Sequence, residues 1–162
     1  MMSIAYIGLG SNLGDSQQIL SEAVQKLQRI GDIKVSRLYK SAPMGPQDQP
    51  DYLNAVVQLK TTLAPLLLLD QLQSLEQEAG RVRLRHWGER TLDLDLLLFD
   101  DQQIQHERLT VPHQGILERD FVLCPLLDID PDIVIHQQKV KTLQIVEHAS
   151  VQVFADQDWA NV

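Results

Sequence analysis

The stretch from Gly80 to Asp95 holds four of the chain's eight arginines, one of its two tryptophans and two aspartates, Asp93 and Asp95, two residues apart. The chain as a whole is acidic, with a net charge of -8, so a local block of guanidinium groups beside paired carboxylates is not a matter of composition. Guanidinium forks match phosphate oxygens, and carboxylates hold hard divalent cations. The simplest ligand with a use for both is a metal-bound polyphosphate.

The elements around this stretch decide what it can present. Leu92 to Phe99 reads as a strand. Period two then puts Asp93 and Asp95 on one face, with Cα atoms about 6.5 Å apart, and Leu92, Leu94, Leu96 and Leu98 on the other, buried face. Two carboxylates this close repel unless a bound cation, or nearby arginines, offset them. Residues 81–91 are too polar and too punctuated by glycine to be core, and the pattern predicts a mobile loop in which the indole of Trp87 needs something to cover it. Upstream, Ala64-Pro65 opens a helix that carries a leucine face and stops at Gly80. On it Gln73 and Glu76 are neighbours three residues apart, facing either solvent or a site. The segment Ser41 to Tyr52 has three prolines and a glycine and reads as a binding loop. The strand Tyr52 to Thr61 follows, with Tyr52 and Asn54 on the same side.

The remaining pattern is coarser. Ser3 to Leu9 is a buried strand, and Gly10 to Asp15 a turn. Asp15 or Ser16 caps a helix running to about Ile30, and Asp32 to Tyr39 is a second strand. The glycines at 8, 10 and 14 do not have dinucleotide-fingerprint spacing, because Leu13 stands where the third should be. After a turn at residues 100–103 the chain returns through Arg108, Thr110 and His113. One or two short helical turns between Gln114 and Cys124 carry Arg119 and Phe121. Residues 128–132 read as a loop, and the last dozen residues, poorly patterned, are expected to fray. The order β-α-β-β-α-β predicts an α+β, ferredoxin-like fold: one domain over residues 1–162, an antiparallel sheet with helices on one face and long active-site loops.

Composition narrows the function. A net charge of -8 argues against a general nucleic-acid surface, and no apolar run reaches the ~20 residues of a membrane span. Cys124 is the single cysteine, so there is no intrachain disulfide and no cysteine-based zinc site, and it reads as a small core residue. There is no Walker A sequence, no protein-kinase set, no Gly-x-Ser-x-Gly elbow, and no lysine between Lys60 and Lys139. What is left is positioning and electrostatics on a phosphoryl or pyrophosphoryl group. The expected setting is a cytoplasmic monomer acting on small molecules.

Four stretches together carry a resemblance covering nearly all of residues 3–148. They are Gly10-Ser11-Asn12-Leu13-Gly14; Gly45 to Asn54 (GPQDQPDYLN); Arg81-x-Arg83 through Trp87-Gly88-x-Arg90-Thr91-Leu92-Asp93-Leu94-Asp95; and Arg108 to His113. In these the chain resembles the 6-hydroxymethyl-7,8-dihydropterin pyrophosphokinases of folate biosynthesis, which transfer the terminal diphosphate of ATP to the pterin's hydroxymethyl oxygen and release AMP. The resemblance implies that Asp93 and Asp95 bind two magnesium ions bridging the ATP phosphates, and that Arg81, Arg90 and Trp87 belong to a lid loop. It further implies that Arg83, Arg108, Thr110, His113 and Arg119 contact ATP, and that Gln73, Glu76 and Leu96 line its pocket. Tyr52 and Phe121 are implied to sandwich the pterin ring, Asn54 to bond its edge, and the backbone of Ser41, Ala42, Pro43 and Met44 to complete the pocket. Leu84 and Gln114 stand where a reference member has lysine and tyrosine, and the lid segment between Arg83 and Trp87 is one residue shorter. The competing readings are a non-catalytic nucleotide- or pterin-binding module on the same fold, and an Asp-x-Asp glycosyl- or nucleotidyltransferase. Trp87 fluorescence offers a probe, with Trp159 a background signal expected to be removable by truncation.

Overall fold

The computed structural model of the chain describes residues 1–43, 48–80 and 91–162. β1 (Ser3–Ser11) leads into α1 (Ser16–Leu27), whose first turn is capped by Asp15, its side chain accepting from the Gln18 amide at 3.3 Å. β2 (Asp32–Val35), β3 (Leu38–Ser41) and β4 (Tyr52–Thr61) follow, then α2 (Pro65–Glu78), which starts on a proline as expected. β5 (Asp93–Phe99) is succeeded by the hairpin β6 (Ile104–His106) and β7 (Leu109–Val111), then α3 (Asp120–Ile129). β8 (Val134–Ile135), β9 (Gln138–Lys139), α4 (Gln144–Glu147) and β10 (Gln152–Ala155) complete the described elements.

The main sheet is antiparallel. Its strands run in the order β10-β3-β4-β1-β5, with β2 also paired to β4. Alternation along β1 and β4 divides the core in two. Ala5, Ile7, Leu9, Ala55, Val57 and Leu59 face α1 and α2 in one cluster. Tyr6 and Val56 point the other way and join Leu97, Ile116, Val122, Leu123 and Leu126 in a second. The expectation of helices on one face is therefore corrected: α3 and the residues after it cover part of the opposite face. α3 also extends further than two short turns, running through Pro125 to Ile129, so the predicted loop begins later than residue 128. Burial of Val122, Leu123 and Leu126 contributes about 1.5–3 kcal/mol each, enough to hold a helix with a proline inside it.

Two other expectations change for reasons of register. The strand read from Asp32 to Tyr39 is broken at Ser36-Arg37. Val35 lies opposite Val57 and Tyr39 opposite Asn54, four steps on one side against three on the other. Ser36 takes up the extra residue by giving its amide to Val56 O (3.0 Å) and accepting the Val56 amide on its hydroxyl (2.9 Å). In β5, register shifts between the partners Tyr6 and Ile7, and Leu97 is the extra residue. The predicted alternation holds through Leu92, Leu94 and Leu96. Beyond the bulge Phe99 rejoins that face, while Leu98 packs against the second cluster.

The expected fraying of the last dozen residues is also overturned. β10 pairs with β3, and Trp159 and Ala160 are buried in the first cluster at 6% and 0% exposure. Trp159 Nε1 donates to Ser36 O at 2.9 Å, and Ser21 Oγ donates to Ala160 O at 3.1 Å. Aromatic burial with a satisfied indole N–H is the reason this polar-looking segment is ordered. Among the described residues no helix is long and apolar enough to cross a membrane.

One partly buried polar network ties α3 to β3. Asp128 receives the Arg37 amide at 3.1 Å, its guanidinium at 3.1 Å and the Tyr39 hydroxyl at 2.8 Å, and the Arg37 guanidinium lies 5.5 Å from the Tyr39 ring centre. Burial first, then Asp128, push the Tyr39 hydroxyl above its ordinary range. Cys124 sits close by on α3. Burial, followed by the charges of Asp120 and Asp128, pushes its thiol up to about 11. Thiolate is the reactive form, and an ordinary cysteine titrates near 8.5. Native protein at pH 8 should therefore be alkylated by iodoacetamide at Cys124 more than about tenfold more slowly than unfolded protein, as read by mass spectrometry over time. Equal rates would contradict the raised value.

Candidate active site

The site is best built from the sheet face that carries the second core cluster. At one end that face is apolar and covered by α3; at the other it turns polar. β1 contributes no side chain there: Gly8 and Gly10 lie opposite Asp95 and Asp93 of β5 on one side, and opposite Val56 and Asn54 of β4 on the other. Directly opposed residues of an antiparallel pair share a face. Asp93, Gly10 and Asn54 thus form one row across three strands, and Asp95, Gly8 and Val56 the next. The glycines clear the floor between carboxylates and amide. A Cβ at Gly10 would stand 3.3 Å from Asn54 Oδ1, tight enough that the Asn54 amide would have to shift by a few tenths of an ångström, and in ordinary contact with Tyr52 Cδ1 at 3.7 Å.

Both aspartates are partly exposed, as the strand pattern requires. Among the described residues no group of three or more histidine, cysteine, aspartate or glutamate side chains is placed to hold a metal. The donor set is two hard carboxylate oxygen groups on one face. It suits a cation such as magnesium that takes one or two protein carboxylates and completes its shell with water and phosphate oxygens.

Asn54 is 5% exposed, and its Nδ2 donates to Ser41 Oγ at 2.7 Å, which fixes the amide's orientation. Ser41 is opposite Tyr52 across β3 and β4, so Ser41, Tyr52 and Asn54 are brought together; Ala42 is exposed and Pro43 buried just beyond. Phe121 begins α3 on the same face, half-buried against the second cluster, with the Arg119 guanidinium 5.8 Å from its ring centre. Met44, Arg81, Arg83, Trp87 and Arg90 lie outside the described residues, as do most of the predicted loop over residues 81–91 and part of that over 41–52.

A second group gathers on the outer side of β5. Arg108, at the β6–β7 turn, donates from Nη2 to Asp70 Oδ1 at 2.6 Å and to Gln73 Oε1 at 3.3 Å, so hairpin and α2 meet there. Thr110 is exposed on β7. The amide of His113 donates to Leu97 O at 2.9 Å, and its buried Nδ1 has no hydrogen-bond partner among the described residues. A buried ring nitrogen of this kind calls for a ligand or solvent partner. A cleft of 770 Å³ opens here, lined by Gln105, His106, Thr110, His113, Gln114 and His136, in the range of small-molecule sites. Leu96 is 3% exposed and belongs to the first core cluster. Glu76 is 5% exposed, and its Oε2 accepts the Leu94 amide at 2.9 Å.

Two participants carry little or no signal in the sequence, Asn12 and Asp70. Asn12, 3% exposed, donates from Nδ2 to Gln49 Oε1 and to Pro50 O, both at 2.9 Å, and so clamps the chain leading into Tyr52. Its signal was the Gly10-to-Gly14 motif, which was noticed but given no task. Asp70 gave no signal, being one more polar residue on an amphipathic helix.

Residues 6–131 match the sequence model of the family described as 7,8-dihydro-6-hydroxymethylpterin-pyrophosphokinase (HPPK). The chain belongs to the HPPK family. Its relatives include the 2-amino-4-hydroxy-6-hydroxymethyldihydropteridine pyrophosphokinase of Haemophilus influenzae, 48% identical over 151 residues that cover 91% of this chain and 94% of that one. The protein of the same name from Bacillus subtilis is 47% identical over 132 residues, covering 80% and 79%. Among solved structures, Plasmodium falciparum HPPK-DHPS with pteroate superposes with a TM-score of 0.72 at 16% identity, over 92% of this chain and 44% of that one. At that identity the likeness speaks for the fold alone: an α+β HPPK domain with an antiparallel sheet. The HPPK match spans β1 to the end of α3 and so contains both groups of site residues.

Proposed function

We propose that this chain transfers the diphosphate of ATP to the hydroxymethyl oxygen of 6-hydroxymethyl-7,8-dihydropterin, giving AMP and the pterin diphosphate, a step of tetrahydrofolate biosynthesis. The observation that carries the reading is the row Asp93–Gly10–Asn54. It sets the candidate phosphate-metal pair beside the candidate pterin pocket across a floor with no side chains. Family membership supports it. The fold that goes with the proposal is ferredoxin-like, a single pyrophosphokinase domain over residues 1–162. It acts as a cytoplasmic monomer on two small molecules, with no nucleic-acid or membrane partner.

In this mechanism Tyr52 and Phe121 flank the pterin ring. Asn54, oriented by Ser41, bonds its edge, and the backbone of Ser41, Ala42, Pro43 and Met44 closes the pocket. Gln73, Arg108, Thr110 and His113 hold the nucleotide on the outer side of β5, with His113 Nδ1 available to it and the buried Leu96 and Glu76 standing behind them. Two magnesium ions held by Asp93 and Asp95 would neutralise the phosphate oxygens and so stabilise the charge that spreads as the diphosphate is transferred. Arg81, Arg83, Arg90, Trp87 and Arg119 add positive charge and cover. The substrate hydroxyl attacks the β-phosphorus in line, forming the new O–P bond and giving up its proton to water as the bond from the β-phosphorus to the AMP oxygen breaks and AMP departs. Holding both reactants at that distance is the protein's main contribution.

Purified protein incubated with Mg-ATP and 6-hydroxymethyl-7,8-dihydropterin should form AMP and pterin diphosphate in equal amounts by ion-exchange chromatography. ADP as the product, or no turnover by folded protein, would overturn the proposal; tight binding of both ligands without turnover would favour a non-catalytic module instead.

A further inference from the structure

We infer that Glu76 is a positioning residue for the carboxylate pair: it fixes Asp93 and Asp95 by holding the backbone between them. The kinetic consequence rests on the diphosphate-transfer reading; the geometry does not. α2 places Leu68, Leu72 and Glu76 at successive turns of one face, and all three are buried. A glutamate on an apolar stripe needs a partner that justifies its burial. Its Oε2 accepts the Leu94 amide at 2.9 Å, and Leu94 is the residue between Asp93 and Asp95.

The place of that amide in the sheet gives the contact its meaning. Among the described residues β5 is the outermost strand on its side, with β1 its one neighbour in the order β10-β3-β4-β1-β5. Along an antiparallel strand the backbone groups of successive residues point alternately to the two sides. Since the Leu94 amide points to α2, Asp93 and Asp95 direct theirs toward Gly10 and Gly8 of β1, their register partners. The ladder thus holds the two aspartates from one side, and among the described residues no strand receives the intervening residue on the other. Glu76 takes the place of that missing strand with a charged, and therefore stronger, acceptor. It does so at the start of β5, where a strand is loosest. Both carboxylates then project from a backbone held on both sides, which is what a metal-phosphate site needs to keep its spacing.

The test uses two variants of the full chain. E76Q keeps an acceptor oxygen without the charge, and E76M keeps the volume without an acceptor. Amide hydrogen exchange of the ligand-free proteins is expected to show Leu94 at least tenfold less protected in E76M than in the wild type, with E76Q near the wild type. In steady state E76M should lose tenfold or more in kcat and need several-fold more Mg2+ for half-maximal rate. Its KM for the pterin should stay within twofold, and E76Q should recover most of the rate. Unchanged Leu94 protection in E76M, or a wild-type kcat and Mg2+ dependence, overturns the inference. Should E76M not fold, fast exchange of Leu94 in the wild type overturns it and slow exchange in both wild type and E76Q supports it. A folded wild type that makes no AMP defeats the diphosphate-transfer reading, and the exchange comparison then decides the positioning alone.

Discussion

Replacing Asp95 by alanine should reduce kcat by on the order of 10³-fold while leaving the protein folded. A metal-held phosphate oxygen contributes several kcal/mol of transition-state stabilisation, and each 1.36 kcal/mol is about a factor of ten in rate. Asp95 supplies one of the two carboxylate groups the described site presents to such a cation, and β1 across from it offers Gly8 and no substitute ligand. The side chain is partly exposed and outside both core clusters, so its loss opens no cavity. Removing one of two like charges on a shared face also relieves repulsion. The melting temperature of the ligand-free variant should therefore match or exceed the wild type's, and pterin binding by titration should change little. A variant with near-normal kcat would remove Asp95 from the mechanism. A variant that melts well below the wild type would mean that the carboxylate serves the fold instead.

Trp159→Ala should act in the opposite way, on stability and only through it on activity. The indole is 6% exposed, packs in the cluster shared with α1, and donates to Ser36 O, the residue at which the β2–β3 break turns. Large-to-small changes at buried tryptophan cost about 3–5 kcal/mol. For a chain of this size that lowers the melting temperature by roughly 10 °C or more. Below the transition the variant should turn over at close to the wild-type rate. A thermal melt followed by circular dichroism, with kcat measured at a temperature where both proteins are folded, checks both halves. A shift of less than a few degrees would show that the indole's burial adds little. Truncation to remove this fluorophore would thus not leave a Trp87 experiment on an otherwise unchanged protein.

What the sequence could show depended on whether a feature is local. The Asp93/Asp95 alternation was legible because a strand's period is a property of neighbouring residues, and α2 was legible from its leucine spacing and the proline at its start. The parity change at Leu97 was not, because a bulge is defined by the partner strand, and nothing in Leu94 to Phe99 marks which residue is extra. The break at Ser36 had the same cause. The last residues looked fit to fray because Trp159 finds its partners in Ser36 and the α1 cluster, more than a hundred positions away in sequence. Within the site, Asn54 and Tyr52 were found from their shared face, yet Ser41's hydrogen bond to Asn54 needed the pairing of two strands. Glu76 had a visible signal: it stands on the Leu68–Leu72 stripe, and a carboxylate there asks what it serves.

The pairing of β10 with β3, Gln152 opposite Lys40 and Val153 opposite Tyr39, bears on how the protein is made. β3 emerges from the ribosome early and carries Ser41, which bonds Asn54, but its flanking strand β10 is synthesised more than a hundred residues later. A nascent chain that has reached α4 already contains β5 with its two aspartates, β4 with Asn54, and β1 with the glycines between them. It still lacks both the strand that flanks β3 and the indole that packs beside it. Contacts of such long sequence separation close slowly, and the uncovered strand meanwhile offers unpaired amides and carbonyls to other chains. If folding follows synthesis, the half of the sheet that carries Asp93, Asp95 and Asn54 is expected to assemble first. The β3 margin is the part of the newborn protein that a chaperone has most reason to hold.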